Sequence, residues 1–224
     1  CRRPRIASPE MRRLSLLLVI GLLALRAGTP ADAITLTASD LLDRLPVRVE
    51  SGSSSYVRDR FGYPDDADGD GCDTRAEVLV QESTTATTRN SYCTIQSGRW
   101  RSFVDGKVWT DPSKVQIDHL VPLSEAWASG ARSWSAARLV DYGNDLGYPW
   151  SLNAITGSLN ASKGDGDPAE WLPPLVAARC AYAIRWMKVK FRWGLSIDAT
   201  ERSALARLLS GACGERLVSL PVRA

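Results

Sequence analysis

Histidine is all but missing from this chain: His119 is the single one among 224 residues. That scarcity excludes several chemistries at once. Zinc proteases need two histidines at helical spacing, and catalytic zinc sites generally take at least one as a ligand. A Ser-His-Asp hydrolase could work with one, yet the chain has no G-x-S-x-G elbow to present the serine. No C-x-x-C pair occurs either, so a cysteine-based zinc site lacks its usual spacing. Internal repeats, low-complexity tracts and evident linkers are also absent. So is an excess of one charge. The formal net charge is +3, but six of the 28 basic residues and only two of the 25 acidic ones lie in the first 33 positions. The remainder is close to neutral, and any attraction to phosphate must come from a local patch.

Long apolar runs are confined to one place, residues 14–25. Arg12-Arg13 precede the run, and Gly28-Thr29-Pro30 and the small-x-small triplet Ala31-Asp32-Ala33 follow it. It has the length of a signal-peptide core and is too short to span a bilayer. Residues 1–33 are therefore read as upstream residues and a signal peptide, with Met11 as the natural start. Ile34 is then the first residue of a secreted, extracellular protein with no membrane attachment. Setting Cys1 aside leaves Cys72, Cys93, Cys180 and Cys213, an even number that suits two disulfides in an exported chain. Three pairings are open, and the local one, Cys72–Cys93 with Cys180–Cys213, is the simplest. Each bridge would be worth about 3 kcal/mol on the loop-entropy account.

What is present points to one α+β domain. Residues 38–45 suit a helix stopped by Pro46, and a Ser/Gly stretch at 51–55 suits a loop. Residues 75–80 suit a helix. Ser97-Gly98 and Asp105-Gly106, flanked by Trp100, Phe103 and Trp109, are hairpin signals. Strands are expected over 115–121, ended by Pro122, and over 151–156, with short helices at 124–129 and 135–142 between them. Two longer helices close the chain, one over about 174–193 and one opened by Asp198 with Glu201 three residues on. Residues 34–60 read as an N-terminal extension, 61–213 as the functional domain and 214–224 as a tail.

His119 sits beside Asp118 near the end of the first of those strands. Neighbouring strand side chains diverge, but a strand that ends there can place a metal ligand and a base in one site. Downstream, Asn160-Ala161-Ser162-Lys163-Gly164-Asp165 offers a neutral oxygen ligand, a phosphate-seeking lysine and a tight turn, with Asn160 expected at a helix start. Upstream, Asp66, Asp68, Asp70 and Glu77 match the spacing of an EF-hand calcium loop. Against calcium stand Asp73 at the position usually apolar, Cys72 within the loop, and no evident incoming helix. Arg75 is a candidate phosphate clamp, because a guanidinium can grip phosphate with two bonds.

The order Asp118-His119-x-x-Pro122-x-Ser124, a strand, then Asn160-x-x-Lys163-Gly164-Asp165 resembles the HNH, or His-Me finger, nucleases. It is especially similar to a secreted bacterial branch of that family. Further boxes carry the likeness: Asp70-Gly71-Cys72-Asp73-Thr74-Arg75, Leu123-Ser124-Glu125-Ala126-Trp127, Gly143-Asn144-Asp145-Leu146, and Asp167-Pro168-Ala169-Glu170-Trp171. The resemblance covers roughly residues 61–213.

It implies a ββα-metal finger wrapped by helices, with His119 as general base and Asp118 and Asn160 as ligands of one divalent ion. Such a hard oxygen set suits Mg²⁺ or Mn²⁺. Lys163 and Arg75 would bind phosphate, and Glu125 would support the site. Family members often carry an asparagine nine positions before the last ligand, where it orients the base. Here Ser151 stands there, so Asn144, Asn153 or a backbone carbonyl is left to do that work. The implied reaction is hydrolysis of DNA, with RNA as a second candidate, leaving 5′-phosphate and 3′-hydroxyl ends. Two rivals remain: a calcium-stabilised extracellular binding module with a dead site, and a metal-free hydrolase using His119.

Overall fold

Local sequence rules account for most of the elements, and the structure, a computed structural model, describes residues 34–67 and 69–224. The signal-peptide reading of residues 1–33 lies outside them, as does Asp68. Strand β1 (Thr35–Thr37) runs straight into helix α1 (Ala38–Asp43), where Thr37 and Asp40 close a capping box. Helix α2 (Thr74–Glu82) is capped by Asp73, whose carboxylate accepts the Ala76 N–H at 2.8 Å. Four short strands follow: β2 (Thr88–Arg89), β3 (Ile95–Ser97), β4 (Trp100–Arg101) and β5 (Val108–Trp109). The Asp105-Gly106 turn joins β4 to β5 as expected. Ser97-Gly98 does not make a hairpin, because β3 pairs with β2 instead. Gly98 serves another purpose: a side chain there would collide with the Trp100 ring. That ring is fully buried and donates from Nε1 to the Leu79 carbonyl at 2.7 Å.

At the centre, β6 (Val115–His119) pairs antiparallel with β7 (Leu152–Thr156), Asp118 opposite Asn153 and His119 opposite Leu152. Between them the chain forms α3 (Leu123–Ala128) and α4 (Ala136–Gly143); directly after β7 comes α5 (Gly157–Lys163). The pleat sends Val115 and Ile117 into a small core with Leu79, Trp100, Leu152 and Ala154. It turns Gln116 and Asp118 the other way, towards the side chains of α5 that bond them.

Helix α6 (Arg179–Trp193) is the spine of a larger core that buries Tyr182, Trp186, Met187 and Trp193. It begins later than the expected residue 174, after a 3₁₀ turn, Val176–Ala178. Pro173-Pro174 explain the delay, since proline withholds an N–H and restricts the residue before it. Helix α7 (Ala199–Leu208) opens with both bonds of the Asp198/Glu201 capping box. Strand β8 (Leu217–Ser219) returns to pair with β1, Leu36 opposite Val218. The stretches read as extension and tail thus meet in one two-stranded sheet. The disulfides are Cys72–Cys93 and Cys180–Cys213, the local pairing. The fold is α+β, and among the described residues no helix is long and apolar enough to cross a membrane.

Candidate active site

Strand β6 ends at His119, so the usual divergence of neighbouring strand side chains does not keep Asp118 and His119 apart. Both line one cavity of about 190 Å³, together with Asn160, Arg58, Pro122 and Asp165. Larger clefts, of about 370 Å³ beside Tyr92 and about 440 Å³ beside Arg202, lie elsewhere and lack this grouping.

His119 is held by a backbone group. Its Nε2 lies 2.8 Å from the Gly143 carbonyl oxygen. A carbonyl only accepts, so Nε2 is the protonated nitrogen and Nδ1 keeps its lone pair. The Tyr63 ring meets the imidazole edge-on at 4.8 Å between centroids. Burial pushes the imidazole down to about 4, the Gly143 bond opposes the shift, and the charges of Arg58 and Lys163 add to it. The ring is therefore neutral at physiological pH.

Asp118 is buried and has two unlike oxygens. Its Oδ1 accepts from Lys163 Nζ at 2.5 Å, while Oδ2 is buried with no hydrogen-bond partner among the described residues. Lys163 Nζ also donates to the His119 carbonyl oxygen at 2.8 Å. Burial pushes the Asp118 carboxyl up and the Lys163 amine down, each resisted by the other's charge. Asn160 donates from Nδ2 to Gln116 Oε1 at 3.0 Å, and its Oδ1 has no hydrogen bond among the described residues. It lies in the body of α5 and not at the expected helix start, because β7 runs into the helix at Gly157. An orphaned buried carboxylate oxygen and a free amide oxygen on one cavity fit a hard divalent ion.

Two expected phosphate contacts are engaged elsewhere. The Lys163 side chain is wholly buried and holds the end of β6, so it does not face a substrate. Arg75 Nη2 donates to the carbonyls of Pro112 and Val115 at 3.0 and 3.1 Å, bracing the entry to β6. Lys163 is drawn inward by the Asp118 carboxylate and the His119 carbonyl, and Arg75 by two part-buried carbonyls, each an acceptor that needs a donor.

The supporting residues sort themselves similarly. Asn144 accepts from the Asp65 N–H and the Thr74 hydroxyl and donates to the Val140 carbonyl, fixing the residue next to Gly143. Ser151 donates to Asp145 at 2.6 Å, and Asn153 to the Trp150 carbonyl at 3.1 Å; neither side chain bonds the imidazole. Glu125 points into the helical core, where the Lys190 ammonium bonds it, Glu201 and the Ser196 carbonyl. In the acidic loop Asp66 accepts the Gly69 and Gly71 N–H groups and Asp70 accepts that of Cys72. Glu77 lies in the first turn of α2. The preceding turn, Arg58–Phe61, is 3₁₀ and not an EF-hand helix.

Gln116 and Arg58 went unread in the sequence. Gln116 carried a usable signal, since it lies two positions before Asp118 on the same strand face; Arg58 carried none. Gly143 was read only as part of a box that carries the resemblance, and the structure makes its carbonyl the backbone group that orients the base.

Residues 73–208 match the family model for GmrSD restriction endonucleases, C-terminal domain. The chain belongs to this family. It is also 42% identical over 174 residues to an uncharacterized secreted protein of the fungus Arthroderma benhamiae (strain ATCC MYA-4681 / CBS 112371), covering 78% of this chain and 84% of that one. That relative is fungal, whereas the sequence had suggested a bacterial branch. No solved structure matches the chain. The GmrSD C-terminal-domain region holds Asp118, His119, Gly143, Asn160 and Lys163; Arg58 and Tyr63 precede it.

Proposed function

We propose that the protein is a secreted, HNH-type, metal-dependent endonuclease that hydrolyses phosphodiester bonds of DNA and, secondarily, RNA. The family supports nuclease chemistry, and the secreted relative supports export. One observation carries the mechanism: His119 is locked through Nε2 onto the Gly143 carbonyl on the cavity that Asp118 and Asn160 also line.

A phosphodiester is an anion that repels nucleophiles, so hydrolysis needs an activated water and charge neutralisation. His119, neutral and with Nδ1 free, takes the proton from the attacking water. The Gly143 carbonyl holds the ring in that tautomer and steadies the imidazolium once the proton has moved. Asp118 and Asn160 would hold a divalent ion, Mg²⁺ or Mn²⁺, which when bound supplies Lewis-acid stabilisation to the scissile phosphate and the leaving 3′ oxygen. Gln116 orients Asn160 by taking its amide N–H, and Lys163 fixes the Asp118 carboxylate from behind. The products expected are 5′-phosphate and 3′-hydroxyl ends. Without a global basic field, binding rests on backbone contacts and is weakened by salt.

Plasmid digestion by the disulfide-bonded protein tests this. Relaxation and linearisation should need Mg²⁺ or Mn²⁺, stop in EDTA, and fall by at least about 10²-fold in His119→Ala. Cleavage that persists in EDTA, or an equally active His119→Ala, sinks the proposal.

A further inference from the structure

With Lys163 buried against Asp118 and Arg75 spent on backbone carbonyls, both cations that the sequence offered for phosphate are withdrawn from the cavity. Arg58 remains. Among the described residues lining the cavity it is the one bearing a fixed positive charge, and its side chain is exposed. It forms no salt bridge among the described residues; a hydrogen bond links it to Tyr56.

The backbone that presents Arg58 is firmly held. Phe61, three residues on in the same 3₁₀ turn, is fully buried against the rings of Trp127 and Tyr142, at 6.4 and 6.0 Å between centroids. Arg60 lies over the Trp127 ring at 4.8 Å, and Trp127 Nε1 donates to the Gly52 carbonyl at 2.9 Å. Asn144 reaches the Phe61 and Gly62 carbonyls from the far side. A guanidinium on so anchored a turn is pre-organised, and its planar fork suits the paired oxygens of a phosphate.

We propose that Arg58, contributed by the segment preceding the family-matched region, is the phosphate-contacting cation of this cavity, binding a backbone phosphate of the polynucleotide next to the scissile one. Residues 51–62 are then part of the functional site and not a dispensable extension. This deepens the nuclease reading and rests on it.

The test separates binding from chemistry. Binding of a fluorescent single-stranded oligodeoxynucleotide is measured by anisotropy in EDTA, across a salt series, for His119→Ala with Arg58 intact, with Arg58→Ala and with Arg58→Lys. Arg58→Ala should weaken binding about tenfold and make the slope of log K against log salt shallower by about 0.7. Arg58→Lys should restore the slope but only part of the affinity, since lysine keeps the charge and loses the fork. In protein retaining His119, Arg58→Ala should raise KM more than it lowers kcat. If Arg58→Ala keeps its melting temperature and binds and cleaves as the parent does, Arg58 is no phosphate contact while the nuclease reading stands. If the parent neither binds nor cleaves any nucleic acid, both fall together.

Discussion

Gly143 contributes no side chain, yet its carbonyl decides where the imidazole points. A Cβ at that position would fall inside contact distance of the Phe61 carbonyl oxygen, so Gly143→Ala must push the chain away from the 3₁₀ turn. The carbonyl moves with it, and His119 loses its anchor. An error of about 1 Å in a reacting group can cost on the order of 10²-fold in rate. Gly143→Ala should therefore lower kcat by about 10–100-fold while KM changes little; an unchanged kcat would show that the carbonyl does not set the ring. Asp118, His119 and Asn160 were legible through the resemblance to the HNH pattern and its ordered boxes, not through the Asp-His pair alone, and the structure brings the three to one cavity. The sequence could not show the role of Gly143, since every residue carries a carbonyl and only the fold selects one. Lys163 was legible as a charge but not as a buried one: a motif names a side chain and leaves its direction to packing.

At the scale of elements, one buried ion pair ties α5 to the end of β6, beside the Asn160–Gln116 hydrogen bond. Lys163 Nζ bridges Asp118 Oδ1 and the His119 carbonyl, at 2.5 and 2.8 Å. Removing one partner from such a pair leaves an uncompensated charge in the interior, at a cost of about 3–5 kcal/mol. Lys163→Met should destabilise by about that much in urea unfolding. Lys163→Met combined with Asp118→Leu should recover most of the loss, because neither charge is then left alone, while activity stays abolished. A Lys163→Met penalty below about 1 kcal/mol, the range of exposed pairs, would mean that the pair is solvated in solution. The β6–β7–α5 order itself was readable from two β-branched runs and a following Asn-x-x-Lys box. The β3 pairing was not, because Ser97-Gly98 has hairpin chemistry whereas burial of Trp100 beneath α2 governs that stretch.

For the molecule as a whole, the balance of buried charge in the larger core sets how stability responds to pH. Burial alone would lower the Lys190 amine, but the charges of Glu201 and Glu125 outweigh it and raise it. The ammonium thus stays charged across the accessible range. Around it sit more carboxylates than it can neutralise. Burial pushes Glu50 up to about 8, helped by the charge and hydrogen bond of Glu125, opposed by Lys190, and raised further by Asp198. Burial likewise pushes Glu201 up to about 7, with Lys190 opposing and Glu125 adding. Both groups hold protons in the folded state at pH values where the unfolded chain has released them, above about 4.5. A raised folded-state pKa gives stability that is fully present below the unfolded value and is lost as pH rises through the folded one. The melting temperature should therefore fall as pH rises from about 4.5 to about 8 and level off above that, the window set by these two groups. Glu50→Gln keeps the neutral shape without the titration, so it should flatten the upper part of that decline and raise the melting temperature at pH 8.5 above that of the parent. Glu50 is half-exposed and screened by solvent, which makes the gain modest, a few degrees at most. A decline of the same steepness in Glu50→Gln would place the pH-sensitive group elsewhere, Glu201 being the next to substitute.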